Sequence, residues 1–149
     1  MKQHFKIIPA VYVVLRKGDK VLLSRRFNTG YADGQYSMIA GHLNGNEKLR
    51  EAMAREAQEE AGINIDPSDL TLVHTMHLKS EIPGSSDDER IAFYFEPSHY
   101  TGKPRIMEPD KCDDMRWFKF DSLPETIINH VKQALDKIYQ NIDYSEFGW

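Results

Sequence analysis

From Glu47 to Ala61 the chain contains no proline and no β-branched residue. Such a run of Lys, Leu, Arg, Glu, Ala, Met and Gln predicts a helix. Asn46 is the expected N-cap, Glu47 suits the positive end of the helix dipole, and Gly62 stands where a left-handed C-cap closes it. At about 100° per residue, with Glu56 at zero, Glu60 falls at about 40°, Glu59 at about −60°, Leu49 at about 20°, Met53 at about 60° and Ala52 at about −40°. The stripe that is apolar in the first half of the helix therefore becomes carboxylate in the second. Three acids point toward whatever that face packs on, or toward a cleft at its edge. Like charges at this spacing cost an isolated helix a few tenths of a kcal/mol per pair, and more once desolvated. Compensation is expected from Arg55, about 100° away, or from a hard divalent cation such as Mg²⁺ or Mn²⁺, which carboxylate oxygens ligate. The plainer alternative is a surface helix in which Lys48, Arg50 and Arg55 answer Glu51, Glu56 and Glu59. Ala54, Ala57 and Ala61 form a separate small-residue stripe that would allow close approach of another element.

The flanking segments predict a sheet. Ile7–Leu15, rich in Val, Ile and Tyr, reads as a strand; residues 17–20 read as a tight turn and Val21–Leu23 as the return strand of a hairpin. Residues 28–35 form a glycine-rich loop, and Tyr36–Ala40 a short strand ending at Gly41. Further strands are expected at Leu70–Leu78, Ile91–Phe95 and Met115–Phe120, with Ser80–Glu89 a mobile hairpin loop. A second helix is expected at Glu125–Asn141, opened by a capping box of Ser122 and Glu125 with Pro124 in its first turn. Strands and helices in this irregular order predict a mixed sheet with helices packed on it rather than a doubly wound parallel sheet.

Length and charge narrow the function. At 149 residues the chain suits a single domain, residues 1–149. Nineteen basic against 23 acidic residues give net −4, which argues against stable nucleic-acid binding but leaves room for a small phosphorylated ligand held locally. Cys112 has no partner cysteine for a disulfide or a multi-cysteine zinc site. The longest apolar run, Ile7–Leu15, falls far short of a bilayer span and is followed by no cleavage site, so a cytoplasmic protein without a membrane segment is expected.

Gly41, five residues, Glu47, seven residues, then Arg55-Glu56-Ala57-Gln58-Glu59-Glu60-Ala61-Gly62-Ile63 resembles the Nudix box, G-x5-E-x7-R-E-U-x-E-E-x-G-U with U apolar. All seven fixed positions match. Ala57 is smaller than the usual aliphatic, and Ala40 and His42 replace a proline and a glycine of the preceding P-G-G stretch. Trp117-Phe118 with Leu123-Pro124 resembles the late strand and turn of the family. The resemblance implies an α+β chain built as a Nudix-type α/β/α sandwich with a mixed β-sheet and a loop–helix–loop catalytic element. It implies Mg²⁺- or Mn²⁺-dependent hydrolysis of a nucleoside diphosphate linked to another moiety. Glu56, Glu59, Glu60 and the Gly41 carbonyl would be metal ligands, with Glu56 the candidate base and Arg55 orienting a glutamate. Glu47 would tie loop to helix and Gly62 would close it. Members often use a further acid, for which Glu108 is the candidate. A MutT-like nucleoside triphosphate pyrophosphohydrolase is the leading expectation. ADP-ribose or nucleotide-sugar pyrophosphatase comes second, and a non-catalytic nucleotide-binding module third. The expected partner is a nucleotide-type small molecule, and the expected state a monomer or homodimer.

Outside the box, Arg25 and Arg26 could reach phosphates, but on a strand only one faces the site; Arg25 is the candidate. Tyr31 and Tyr36 are candidate base-stacking rings, with Phe27 as another and Phe93 better suited to the core. His74 and His77, three apart on a strand, face opposite ways and predict no metal site. Residues 87–90 read as a solvated loop, Cys112 as incidental, and Tyr144–Trp149 as a tail apolar enough to dock.

Overall fold

In the computed structural model, which describes residues 1–79 and 89–149, nine strands form two sheets. The first sheet has the order β5(Ile39–His42), β1(Ile8–Val13), β7(Glu89–Pro97), β6(Leu70–Lys79), β9(Tyr144–Phe147). It is mixed: β1 runs antiparallel to β5 but parallel to β7, and β6 antiparallel to β7 but parallel to β9. In the second sheet β3(Lys20–Arg26) is central. β8(Cys112–Lys119) runs along one edge, and β2(Arg16–Lys17) and β4(Tyr36–Ser37) share the other.

Helix α1(Leu49–Ala61) packs on β1 and β5 through Ala52, Met53, Ala57 and Ala61, all fully buried against Val11, Val13, Ile39 and Phe95. Helix α2(Asn129–Tyr139) packs on β6 and β9, where Val131, Ala134, Leu135 and Ile138 meet Met76, Leu78 and Tyr94. The first sheet is thus sandwiched between two helices, and its strands alternate residues between the two cores, as period-2 geometry requires. Each fully buried side chain of Met53 or Leu135 size contributes about 1.5–3 kcal/mol.

Four expectations are corrected here. Ile7–Leu15 and Val21–Leu23 do not pair as one hairpin. The chain leaves the first sheet after Val14, whose N–H donates to the Phe95 carbonyl, and enters the second at β2, so the hairpin is confined to Arg16–Lys17 with Lys20–Val21 and one further bond from the Leu22 N–H to the Leu15 carbonyl. The Tyr36–Ala40 strand divides the same way, β4 in one sheet and β5 in the other. Asn46 does not cap α1: it lies at φ +55°, and the N-cap is Lys48, whose N–H is taken by Glu51. The second helix starts at Asn129 rather than Glu125 and without a capping box. Residues 126–128 instead bond alongside Tyr36, with the Tyr36 N–H on the Thr126 carbonyl and the Ile128 N–H on the Tyr36 carbonyl.

Ala57 and Ala61 join the apolar core of α1 instead of forming a separate stripe. Of the expected Ser80–Glu89 loop, residues 80–88 lie outside the described residues, whereas Glu89 and Arg90 belong to β7. The tail does dock: β9 pairs with β6, and the Trp149 indole N–H donates to the His77 carbonyl. No helix among the described residues is long and apolar enough to cross a membrane.

Candidate active site

The loop before α1 and the last two turns of the helix are joined by one guanidinium. Arg55 Nε and Nη2 take both oxygens of Glu47, at 3.1 and 2.9 Å, and Nη2 also reaches the His42 carbonyl at 3.2 Å. Nη1 binds Glu56 at 2.8 Å and Glu59 at 3.3 Å. Glu47 in turn accepts the Asn44 N–H at 2.8 Å, so it lies in the loop rather than in the first helical turn. Gly62, at φ +67°, closes the helix with its N–H on the Gln58 carbonyl.

Glu56 is nearly buried and lies flat against the backbone of Gly41. A Cβ at position 41 would stand 2.1 Å from the Glu56 carboxyl carbon. Gly41→Ala is therefore expected to leave the fold intact but push Glu56 aside, lowering kcat by about tenfold or more at fixed metal concentration. Steady-state kinetics beside a circular dichroism spectrum check this, and wild-type kcat would refute it.

Glu60 points inward and accepts the Ala40 N–H from β5 at 3.2 Å. Burial, reinforced by the neighbouring charges of Glu56 and Glu108, pushes its carboxyl up to about 8, the Ala40 hydrogen bond notwithstanding. Burial also raises Glu56, with Glu59 and Glu108 adding to the rise and Arg55 opposing it. Glu59 sits at the helix edge with its side chain 53% exposed. Glu108 lines the same cleft as Glu60 and pairs with Lys111 at 3.4 Å. Among the described residues no three acids, histidines or cysteines already form a metal cage, because Arg55 holds Glu56 and Glu59 while Glu60 turns to Ala40. Even so, an accumulation of half-neutralised carboxylates is the donor chemistry of a hard divalent cation, and Mg²⁺ needs few protein oxygens because it keeps several waters. The residues present fit such an ion.

The cleft above Glu60 has a volume of about 390 Å³. Met38, Ile39, Ala40 and Met115 give it apolar walls, and Arg25, Arg26 and Lys111 supply positive charge. Both arginines line it, contrary to the expectation that only one could. The β3–β8 register slips between Arg25 and Arg26, which breaks the alternation at that point. Arg25 pairs with Asp113 at 2.7 Å and lies over the Tyr36 ring. Arg26 donates to the Tyr31 carbonyl at 2.7 Å and to Thr29 Oγ1 at 3.0 Å, while Asp33 accepts the Thr29 and Gly30 N–H groups, so the glycine-rich loop is internally tied.

Two candidate rings do not line the cleft. Tyr36 is buried: its backbone pairs on both sides, its ring packs edge-on against Phe118, and its hydroxyl bonds Asp114. Tyr31 lies over the Arg26 guanidinium. Phe27 is exposed and Phe93 packs in the α1 core. His74 is buried between the Ile142 carbonyl and Ser145, while His77 lies under Trp149 on the other face. Cys112, half-buried, lines the cleft beside Glu108. Its contribution, and those of Met38 and Met115, carry no spacing signal that sequence could have flagged.

The chain's sequence and fold match those of known proteins. The curated NAD-capped RNA hydrolase NudC of Stutzerimonas stutzeri is 30% identical over 123 residues, covering 82% of this chain and 40% of its own length. The chain thus spans about two-fifths of the length of the curated relatives it matches. A crystal structure of a MutT NUDIX hydrolase from Burkholderia pseudomallei superposes with a TM-score of 0.77 at 23% identity, covering 89% of this chain and 98% of that one. The NUDIX domain of Shewanella oneidensis NrtR, solved in complex with ADP ribose, superposes with a TM-score of 0.69 at 14% identity, covering 93% and 90%. These superpositions establish the shared fold. The sequence model of the NUDIX domain spans residues 6–140, from before β1 to beyond α2 and including every residue of the glutamate helix, and on that match this chain belongs to the NUDIX domain family.

Proposed function

We propose that the chain is a divalent-cation-dependent hydrolase cleaving the diphosphate linkage of a nucleoside diphosphate joined to another group. Glu60 carries this reading: a partly buried carboxylate lining the cleft, crowded by Glu56 and Glu108, and without a cationic side chain bonded to it among the described residues. Glu56, Glu59, Glu60, Glu108 and the Gly41 carbonyl would hold Mg²⁺ or Mn²⁺, which when bound neutralises diphosphate charge and favours ionisation of water.

The chain's own groups supply the rest. Glu56 accepts the proton of the attacking water, and a carboxylate raised toward neutrality suits that task better than an exposed one. Arg55 fixes the direction in which Glu56 faces. Arg25 and Lys111 offer charge to the phosphates, and Met38, Ile39 and Met115 offer an apolar bed to a base. A cleft of about 390 Å³ lies at the small end of ligand sites and favours a mononucleotide, hence a MutT-like nucleoside triphosphate substrate. ADP-ribose or another nucleotide sugar is the second reading, supported by the ADP ribose bound to the Shewanella neighbour and by the NAD-capped RNA for which the curated relatives are named.

A screen with Mg²⁺ tests both readings: pyrophosphate from nucleoside triphosphates and oxidised nucleotides is read as phosphate through added pyrophosphatase, and the phosphomonoester products of ADP-ribose, nucleotide sugars and dinucleoside polyphosphates through added phosphatase. Turnover of a triphosphate at least tenfold above ADP-ribose is expected. The reverse order selects the second reading, and no turnover of any compound would leave a nucleotide-binding module.

A further inference from the structure

Arg90 was expected in a solvated loop, yet it is 8% exposed at the start of β7, beside Ile8 of β1. A buried guanidinium normally has a carboxylate partner, because desolvating a lone charge is costly. Here the groups that act on it among the described residues are the Tyr31 side chain, which hydrogen-bonds it, the neighbouring Tyr12 and Tyr94, and the ring of His130, with no carboxylate among them. Arg90 Nη2 lies 3.4 Å from His130 Nε2. A guanidinium has no acceptor, so that ring nitrogen is the acceptor and His130 is neutral, its proton on Nδ1. Burial and the charges of Arg90 and Arg26 agree with this, holding His130 down to about 3. Two buried donors of this cluster then remain without an acceptor among the described residues, Arg90 Nε–H and His130 Nδ1–H. A buried donor left unpaired in this way is destabilising, and an incoming acceptor would relieve it.

The cluster adjoins the cleft. Tyr12 lies in the field of Arg90, Arg26, Tyr31 and Glu60 together, and its strand partner Ala40 is the residue that bonds Glu60. Arg26 is on the cleft wall and lies over the ring of Tyr31, whose side chain hydrogen-bonds Arg90. Two positive groups and an unfilled donor in one partly desolvated corner are suited to an oxyanion, which an arginine fork binds with charge-assisted hydrogen bonds.

We propose that Arg90, with Arg26 at the cleft wall, forms an anion subsite for a second phosphate-type group of the substrate, remote from the diphosphate that is cleaved. The substrate class is then a nucleotide carrying an additional phosphate at its far end, such as a ribose phosphate. This deepens the second hydrolase reading, since a simple nucleoside triphosphate has no such far-end phosphate; the substrate class rests on that reading, whereas the anion site does not.

The test therefore has one arm without catalysis. In chelator, thermal unfolding of the metal-free protein is followed with and without 20 mM inorganic phosphate as probe (roughly the concentration at which a millimolar site saturates). A rise of several degrees is expected for wild type, a smaller one for Arg90→Lys, and the smallest for Arg90→Met, in which only the cleft cations Arg25, Arg26 and Lys111 remain. The second arm compares NADH with NADPH, which differ by one ribose phosphate: about tenfold tighter binding of NADPH is expected, and near-equal binding in Arg90→Met. If Arg90→Met does not fold, Arg26→Met carries both arms and is expected to weaken both responses. Equal phosphate stabilisation of wild type and the variants, or no preference for NADPH in wild type, overturns the subsite. Failure of the hydrolase reading is seen separately, as absent turnover with phosphate stabilisation retained.

Discussion

Glu60→Gln is expected to lower kcat by about a hundredfold or more and, in the same protein, to raise the stability of the metal-free fold at pH 8. Ordinary catalytic losses do not come with a stability gain; here one charge explains both. Glu60 titrates at about 8 in the folded chain against an ordinary value of 4.5, so protons bind the folded state more tightly than the unfolded one. Below pH 4.5 both states are protonated and no stability is lost. As pH rises toward 8 the unfolded chain ionises while folded Glu60 resists, so stability falls through that window and stays low above it. The total is on the order of 5 kcal/mol at about 1.4 kcal/mol per tenfold preference. Glutamine keeps an oxygen for the Ala40 N–H and carries no charge, so the variant should show a flatter stability profile. Urea unfolding at pH 5 and pH 8 measures it. Mg²⁺ should reverse the wild-type loss at pH 8 and do far less for the variant. Equal pH profiles for the two proteins would refute the assignment.

Arg55→Met should behave in the opposite way, losing activity and stability together. The guanidinium serves Glu47 through two hydrogen bonds, Glu56 through one, and Glu59 at the edge. Removing it leaves two largely buried carboxylates without their cation. Breaking a buried pair costs about 3–5 kcal/mol, and partial exposure of Arg55 reduces this to about 2–4 kcal/mol. Arg55→Lys should recover only a fraction, because a single ammonium cannot present the fork that spans Glu47 and Glu56. Equilibrium unfolding and kcat are the two readouts. An Arg55→Met protein as stable as wild type would mean that Glu47 and Glu56 find other partners.

The helix from Leu49 to Ala61 was legible because its determinants are local: helix formers, a glycine at its end, and acids at fixed offsets. The tilt of Glu56 and Glu60 toward the sheet followed from the same wheel. What could not be read was long-range. Nothing local to Val14 or Met38 announces that the chain changes sheets there, since both remain in extended, apolar sequence. Tyr36 looked available for stacking because it follows a glycine-rich loop, but Phe118 and Asp114, some 80 residues downstream, bury it. Arg90 followed three acids and read as solvated, yet pairing with β1 and β6 draws it into the core. Pro124 and Ser122 offered a helix start that the backbone of Tyr36 overrules.

Strand β9 has a consequence unrelated to chemistry. β6 is ten residues long, and its outer side would otherwise be a bare row of amide donors and acceptors. Tyr144–Phe147 occupies part of that row, with Trp149 clasped over His77 and Lys79. Open edges of this kind recruit strands from other molecules. The last six residues therefore act as a guard against self-association, so trimming or fusing that end would first endanger solubility, while the distant glutamates remained in place.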